Sequence, residues 1–185
     1  MDGHPGQCRS GLMPRHLVLV GPPGAGKSAI GRQVAEALGA PLFDIDQLLV
    51  REMGMPVAQI FGMVGEPRFR EMEHKAVQAA VAAEEPAVIV PGGGWAAQPG
   101  HMHWAGESSC LRIYLRCVPR TAVKRVEDGE TRPLLAGVDP LERMRKLLEA
   151  REPFYRLADY EVSAEQALDK VTGEVLQVAR AAGGW

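Results

Sequence analysis

The stretch Gly21-Pro22-Pro23-Gly24-Ala25-Gly26-Lys27-Ser28 decides the fold of this chain. It follows the apolar run 17–20 and precedes a helical pattern whose apolar positions begin at Ile30, so a glycine-rich turn joins a strand to a helix. Its spacing of glycine, four residues and then Gly-Lys-Ser is that of a phosphate-binding P-loop. Glycines let backbone N–H groups turn towards phosphate oxygens, and the N-terminus of the helix adds partial positive charge. The stretch therefore predicts nucleotide binding.

Six consecutive residues, five from this motif and the alanine that follows it, are predicted to contact the nucleotide. Lys27 can reach the β- and γ-phosphates, and the Ser28 hydroxyl can bind Mg²⁺. We expect Lys27 to be an exposed loop residue that packs little. The alternative is a glycine turn that carries a lysine by chance, and the flanking strand and helix disfavour it. The predicted contacts are Gly24, Ala25, Gly26, Lys27, Ser28 and Ala29.

The composition disfavours several classes of protein. A chain of 185 residues is long enough for one domain with a full core, and 21 basic against 23 acidic residues give no sign of a nucleic acid or membrane partner. No apolar run approaches the length of a membrane span, and the N-terminus lacks an apolar signal core, so we expect a cytoplasmic protein. Cys8, Cys110 and Cys117 lack metal-ligand spacing, and the last two are expected to be reduced thiols in or near the core.

The rest of the sequence repeats strand and helix about five times, which predicts an α/β fold. We expect a three-layer sandwich whose middle layer is a five-stranded parallel sheet. The predicted strands cover 17–20, 42–46, 87–90, 111–115 and 160–162, and the predicted helices follow the P-loop and cover 47–83 with breaks, 119–125, 140–157 and 164–182. Residues 15–185 form one domain in this prediction, 1–14 form a disordered extension and 126–139 a mobile loop.

Two groups of residues follow predicted strands and belong beside the P-loop. Asp44 and Asp46 end the second strand, and the triple glycine 92–94 follows the third. Because ligands of parallel α/β sheets bind at the carboxyl ends of the strands, we expect these residues to share one site. One carboxylate would face a metal beside Ser28 and the other a substrate hydroxyl; the alternative is a pair of helix N-cap residues. The glycines permit close approach of a ligand, or form only a flexible turn.

Three arginines are candidates with two interpretations each. Arg70 has Glu66 and Glu73 four residues before and three after it, so a solvated ladder of salt bridges is the alternative to ligand binding. Arg132 lies in the glycine-containing loop, where it would stabilise charge in phosphoryl transfer or be merely exposed. Arg151 would bind a ligand or complement the C-terminus of its helix.

Aromatic residues after the triple glycine give weaker signals. His101 and His103 stand two apart in a predicted loop without convincing partners, so surface positions are favoured over a metal site. Trp95 follows the third glycine, so its indole is predicted at the wall of a pocket. The alternative is that Trp95 packs under the segment 101–104.

Six motifs in this order resemble those of the shikimate kinase family of P-loop kinases. The resemblance covers residues 17–162, and the motifs besides the P-loop are Asp44-Ile45-Asp46, 65–73 (GEPRFREME), 92–94 (GGG), 131–135 (TRPLL) and 151–155 (REPFY). It implies a P-loop kinase fold, ATP and shikimate as the small-molecule partners of a monomer, and Mg²⁺ as cofactor. The implied reaction is phosphorylation of the shikimate 3-hydroxyl in chorismate and aromatic amino acid biosynthesis. The alternatives are a kinase of another small polyhydroxy acid such as gluconate, and a nucleotide-binding module that has lost transfer.

On the nucleotide side, the resemblance implies a metal site and a lid. Asp44 would act near Mg²⁺, mostly through water, together with Ser28. Arg132 would close over the phosphates with a lid of about residues 126–139. Arg125 would lie against the adenine.

On the substrate side, the resemblance implies a clamp for an anionic triol. Asp46 would bind shikimate hydroxyls and assist deprotonation of the 3-hydroxyl, while Arg70 and Arg151 would hold the carboxylate. Helices at about 46–83 would form much of this site. The implied substrate contacts are Asp46, Arg70, Gly92, Gly93, Gly94 and Arg151, and the implied catalytic residues are Lys27, Asp46 and Arg132.

Overall fold

A computed structural model describes residues 14–108, 110–127 and 139–185. The predicted N-terminal extension and the predicted lid at 126–139 lie almost entirely outside these ranges. Arg132, the motif at 131–135 and Cys8 therefore lie outside the described residues, and the expectations attached to them stay predictions.

The described residues form five strands and seven helices. The strands are β1 (His16–Val20), β2 (Leu42–Asp44), β3 (Val88–Val90), β4 (Cys110–Arg116) and β5 (Tyr160–Ser163). The helices are α1 (Lys27–Leu38), α2 (Ile45–Met53), α3 (Val57–Val81), α4 (His101–Glu107), α5 (Pro119–Glu127), α6 (Pro140–Tyr155) and α7 (Leu168–Ala182). Among these helices, none combines the length and apolar character needed to cross a membrane.

All five strands run parallel in one sheet of order β2-β3-β1-β4-β5. Central β1 pairs with β3 on one side, with Leu17 opposite Val88, and with β4 on the other, with Leu19 opposite Ile113. The connection after β1 leads towards β2, whereas the connection after its other neighbour, β4, leads towards β5. The connections of these two neighbouring strands therefore diverge, which leaves a crevice at their carboxyl ends. The predicted α/β fold class is confirmed.

The core lies on and around the central strands. Leu17, Val18 and Leu19 of β1 are fully buried, as expected for a parallel strand that is covered by helices on both faces. Cys110 and Cys117 are free and buried, and burial raises the pKa of the Cys110 thiol to about 11 and that of Cys117 to about 12. Both are protonated near neutral pH, and their predicted position as free thiols in the core is confirmed.

The second strand is shorter than predicted. β2 ends at Asp44 and α2 begins at Ile45, so Asp46 lies in the first turn of a helix rather than at the end of a strand. Asp44 is the N-cap of α2, and its Oδ1 accepts a hydrogen bond from the Gln47 backbone N–H at 3.3 Å. The capping interaction favours the helical turn over continued extension, so the N-cap alternative is right for Asp44.

Three helix boundaries also differ from the prediction. The segment around His101 was predicted as a loop but contains α4. Gly100, which precedes this helix, has a left-handed backbone conformation. α7 begins at Leu168, four residues later than predicted. α3 continues through Gly65, whose φ of 76° and ψ of 164° kink the helix where the sequence predicted a helix start. The difference at Gly65 is therefore one of continuity, because both descriptions place a break at the same residue.

Two helical glycines give a test of how tightly α1 packs on the sheet. A Cβ on Gly31 of α1 would lie 2.6 Å from Val90 Cγ2, whereas a Cβ on Gly173 of α7 would meet no atom within 4 Å. We expect Gly31→Ala to lower the free energy of unfolding by about 1–3 kcal/mol through overpacking. The matched variant Gly173→Ala should raise it by about 0.5–1 kcal/mol, because alanine favours a helix interior. Urea denaturation measures both, and a shift of the same sign in the two variants would contradict the packing argument.

Candidate active site

The P-loop turn is packed against the start of α5. Gly24 has a φ of 81°, and a Cβ there would lie 2.9 Å from Ala122 Cα and closer still to the Ala122 carbonyl. Only glycine meets both demands, because other residues rarely adopt this backbone conformation. The turn is therefore held at a fixed position above the sheet.

Lys27 is not the exposed loop residue that the sequence predicted. It is the first residue of α1, and only 8% of its surface is exposed. Its Nζ donates hydrogen bonds to the carbonyl oxygens of Gly21 at 2.9 Å and Pro22 at 3.0 Å. The ammonium folds back over its own turn because these carbonyls compensate its burial.

Two adjoining cavities open at the carboxyl ends of the strands. The first, of about 420 Å³, lies along the turn and is called the P-loop cavity. The second, of about 240 Å³, lies between α2, α3, the triple glycine and α6, and is called the arginine cavity. Both are lined by Ser28, Asp44 and Asp46. The predicted metal ligands and the predicted hydroxyl acceptor thus form the wall that the cavities share.

The structure brings most of the predicted nucleotide contacts to the P-loop cavity. Ala25 is the exception among the P-loop predictions, because its side chain is fully buried and does not line the cavity. The predicted residues that line this cavity are Gly24, Gly26, Lys27, Ser28, Ala29 and Arg125.

Arg70 and Glu73 form a buried ion pair at the arginine cavity. Arg70 Nη1 donates to Glu73 Oε2 at 2.7 Å, and the side chains are 10% and 0% exposed. The guanidinium also lies over the rings of Phe61 and Phe69, at 5.8 and 5.4 Å from their centroids. Burial raises the pKa of Glu73, and the positive charge of Arg70 opposes this shift. The solvated ladder is therefore wrong for this pair, although the 3.4 Å contact of Arg70 with exposed Glu66 is part of one.

Three polar atoms in this cavity are buried without a hydrogen-bond partner. Among the described side chains, the buried atoms without partners are Arg70 Nε, Glu73 Oε1 and Arg151 Nη1, and all three residues line the arginine cavity. Buried polar groups are ordinarily paired, so such a concentration needs an explanation. Two guanidinium donors and a carboxylate acceptor are the groups that an anion with hydroxyls would satisfy.

The triple glycine makes one wall of the arginine cavity without side chains. A Cβ on Gly92 would lie 2.9 Å from Asp46 Oδ1, and a Cβ on Gly94 would lie 2.8 Å from Arg70 Nη1. Gly93 approaches the P-loop instead, where a Cβ would lie 3.0 Å from Pro23 Cδ. These close approaches explain why three successive residues lack side chains.

The triple glycine is also held in place by hydrogen bonds to each of its three carbonyl oxygens. The Trp95 backbone N–H donates to Gly92 O at 3.1 Å, the Tyr155 hydroxyl donates to Gly93 O, and Gln98 Nε2 donates to Gly94 O at 3.3 Å. Burial raises the pKa of Tyr155 to about 12, so its hydroxyl remains a donor near neutral pH. A turn with every carbonyl bonded is not the flexible turn of the alternative interpretation.

Trp95 does not line either cavity, so its predicted position at a pocket wall is wrong. Its side chain is fully buried and packs against the rings of His74 and His101, with centroids 6.2 and 5.0 Å away. The alternative, packing beside the segment 101–104, describes its position. His101 is half-buried and His103 is exposed.

The donor set at the shared wall fits Mg²⁺. A serine hydroxyl and two carboxylates supply hard oxygen ligands, and Mg²⁺ usually takes one or two carboxylates together with substrate phosphates. Across the described residues, no group of three His, Cys, Asp or Glu side chains forms a metal site of protein ligands alone. The residues that would hold Mg²⁺ are therefore Ser28 and Asp44, beside phosphates in the P-loop cavity.

Glu73 is the site residue that sequence reasoning missed, since it was considered only as a surface partner of Arg70. The position of Glu73 in the helical pattern indicated that its side chain is buried. Phe69, Val77 and Ala80 are buried on the same face of α3, so Glu73 occupies an apolar position of the helical pattern. A carboxylate at such a position requires a buried cation nearby, and Arg70 stands three residues before it.

Comparisons with known proteins agree with this geometry. Residues 23–180 match the family described as shikimate kinase. The shikimate kinase of Rhodococcus jostii is 42% identical over 139 residues, covering 75% of this chain and 81% of that protein. That of Caldanaerobacter subterraneus is 37% identical over 164 residues, covering 88% and 95%. The solved structure of the shikimate kinase from Acinetobacter baumannii in complex with shikimate superposes with a TM-score of 0.84 at 29% identity, covering 91% of this chain and 94% of that one.

Two glutamates of α3 allow the buried ion pair to be tested against an exposed one. Glu73→Ala leaves the Arg70 guanidinium buried without its nearer carboxylate, so we expect a loss of about 3–5 kcal/mol in the free energy of unfolding. Glu71→Ala is the matched control, because Glu71 pairs with Arg68 at the same spacing and 2.6 Å, but is 59% exposed. It should cost about 0–1 kcal/mol. Equal losses in urea denaturation would show that burial does not strengthen the Arg70–Glu73 contact.

Proposed function

The chain belongs to the shikimate kinase family, and we propose that its two cavities hold the two substrates of that reaction. The reaction is ATP-dependent phosphorylation of the shikimate 3-hydroxyl, which gives shikimate 3-phosphate and ADP in the pathway to chorismate and the aromatic amino acids. The observation that carries this assignment of sites is the group of three unsatisfied buried atoms in the arginine cavity. An acid with several hydroxyls supplies partners for all of them.

Shikimate binds in the arginine cavity in this proposal. Its carboxylate accepts hydrogen bonds from Arg70 and Arg151, whose guanidinium groups give charge-assisted and often bidentate contacts. Its hydroxyls donate to Asp46 and Glu73. The ring lies against the triple glycine, where no side chain stands between the ligand and the backbone.

ATP binds in the P-loop cavity with its phosphates on the turn and the N-terminus of α1. Lys27 exchanges its carbonyl partners for phosphate oxygens, and Arg125, which also lines the cavity, contacts the adenine. Ser28 and Asp44 would hold Mg²⁺, which would neutralise part of the phosphate charge when bound. The proposal extends to Arg132, which lies outside the described residues and would stabilise the charge on the phosphates during transfer.

Transfer takes place across the wall that the cavities share. Asp46 accepts the proton of the shikimate 3-hydroxyl as the hydroxyl oxygen bonds to the γ-phosphorus. The bond from that phosphorus to the bridging oxygen breaks, and the electron pair leaves with ADP. Lys27 stabilises the negative charge that develops on the phosphate oxygens. Chemistry at this wall is supported by the presence of Asp46 in the lining of both cavities.

The alternative substrates and roles find less support. A gluconate kinase is disfavoured because the relatives above are shikimate kinases over most of their length. A nucleotide-binding module without transfer is disfavoured because the ion pair and the unsatisfied arginine atoms persist in a cavity that such a module would not need. We further propose that the protein acts as a monomer, with small molecules as its partners, in the cytoplasm, where ATP is available.

A panel of acceptors tests the function and the carboxylate clamp together. ADP release, coupled to NADH oxidation, should occur with shikimate and remain at the background rate with gluconate. Shikimate methyl ester removes the charge that the arginines bind, so we expect its KM to be roughly ten- to a hundredfold higher. Equal rates with shikimate and gluconate would contradict the assigned substrate.

The Arg151→Ala variant should reproduce the effect of the ester from the protein side. It should raise the KM for shikimate to a similar extent while leaving that for the ester nearly unchanged, since the lost contact is already missing there. Arg145→Ala, in an exposed position on the same helix, is the matched control and should behave as wild type. A rise in the ATP KM instead would assign Arg151 to the nucleotide.

Asp46→Asn keeps the shape of the side chain and removes its charge. Turnover should fall at least about a hundredfold, because an amide cannot accept the hydroxyl proton, while ADP affinity persists. Steady-state kinetics and calorimetric titration with ADP measure the two effects. Glu52→Gln, an exposed change on the same helix, is the control. A parallel loss of ADP affinity would indicate a metal or folding role for Asp46.

A further inference from the structure

Trp95 connects two histidines on different helices. Its indole Nε1 donates a hydrogen bond to His74 Nδ1 of α3 at 3.3 Å, and its carbonyl oxygen lies 2.9 Å from His101 Nδ1 of α4. The two imidazole rings stack with centroids 4.0 Å apart and an angle of 12° between their planes. These three residues are called the Trp–His cluster.

The hydrogen bonds determine the protonation of both imidazoles. An indole N–H can only donate, so His74 accepts at Nδ1 and carries its proton on Nε2. A carbonyl oxygen can only accept, so His101 donates from Nδ1. Burial lowers the pKa of His74, and burial with the nearby His74 and Arg70 lowers that of His101 to about 4. Both rings are therefore neutral near pH 7, as the stacked arrangement requires.

Each end of the Trp95–His74 hydrogen bond adjoins a residue that contacts Arg70. His74 follows Glu73, which accepts the 2.7 Å hydrogen bond from Arg70 Nη1. Trp95 follows Gly94, which packs so closely on the Arg70 guanidinium that a Cβ would lie 2.8 Å from Nη1. The hydrogen bond thus links the two segments that contact the guanidinium, which are α3 and the triple glycine. Neither Trp95 nor His74 lines the arginine cavity itself.

We propose that the Trp–His cluster is a positioning device for Arg70. It sets the separation between the triple glycine and α3, and this separation determines where the guanidinium presents its donors to the substrate carboxylate. The inference rests on the proposed function, since it assumes that Arg70 binds that carboxylate. Trp95 and His74 act through Gly94 and Glu73 and touch no substrate, so they are positioning residues.

The test separates the effect on shikimate from the effect on ATP. Trp95→Phe keeps an aromatic ring but removes the donor, and His74→Phe keeps the stacked ring but removes the acceptor. Each should raise the KM for shikimate roughly three- to tenfold, as expected for one lost hydrogen bond, with the KM for ATP unchanged. His74→Gln restores an acceptor oxygen and should return the KM for shikimate to near the wild-type value.

Trp104→Phe is the matched control for the indole. The Trp104 ring meets His74 edge-on with centroids 5.2 Å apart, but no side-chain hydrogen bond of Trp104 occurs within the described part of the chain. Its kinetic constants should equal those of wild type. If Trp95→Phe fails to fold by circular dichroism, the comparison of His74→Phe with His74→Gln decides the same point.

The remaining outcomes separate this inference from the proposed function. A wild-type enzyme without shikimate-dependent ADP release would overturn the proposed function. An active wild type with an unchanged shikimate KM in Trp95→Phe and His74→Phe would overturn the positioning role alone. Equal rises in both KM values together with a lower Tm would also overturn it, because they would show general loosening of the fold. A His74→Gln enzyme as impaired as His74→Phe would rule out the hydrogen bond as the cause.

Discussion

A carboxylate that is removed from water requires a cation beside it, and Glu73, which is fully buried beside the arginine cavity, imposes this requirement. Arg70 meets it at 2.7 Å, and the guanidinium is enclosed in turn by two phenylalanine rings and the Cα of Gly94. The ion pair lies within α3, and its guanidinium packs on Gly94, so the second part of α3 contacts the triple glycine through Arg70. The shape of the arginine cavity depends on this pair, because Arg70, Glu73 and Gly94 all line it.

The two arginines of this cavity are not equivalent. Arg70 already has a carboxylate partner, whereas Arg151 Nη1 has no hydrogen-bond partner among the described residues. In the proposed complex, the shikimate carboxylate therefore meets one guanidinium whose charge is partly neutralised by Glu73 and one for which no carboxylate partner occurs among the described residues. We propose that Arg151 contributes most of the electrostatic attraction and that Arg70 directs the carboxylate, because Glu73 and the rings fix its orientation.

The periodic parts of the structure could be predicted from the sequence, and the exceptions have identifiable causes. The apolar runs and the P-loop spacing indicated the parallel sheet and its ligand-binding edge. Asp46 was misplaced because the cap formed by Asp44 starts α2 at Ile45, two residues earlier than predicted. Helix α4 was missed because seven residues are too few for a clear period. The burial of the Lys27 and Glu73 side chains depends on the groups that pair with them in the folded chain. The spacing of residues in a motif does not reveal these partners.

The wall of Ser28, Asp44 and Asp46 has a consequence for inhibition. Because the two cavities share these residues, the proposed positions of ATP and shikimate adjoin each other across this wall, as transfer demands. One molecule that joins an adenosine polyphosphate to a cyclic hydroxy acid would occupy both cavities with a very short linker. Once one half is bound, binding of the other half becomes intramolecular. Its effective concentration is then in the millimolar range, so the linked molecule binds more tightly than either half alone. The feature that permits phosphoryl transfer thus also makes the site open to bisubstrate ligands.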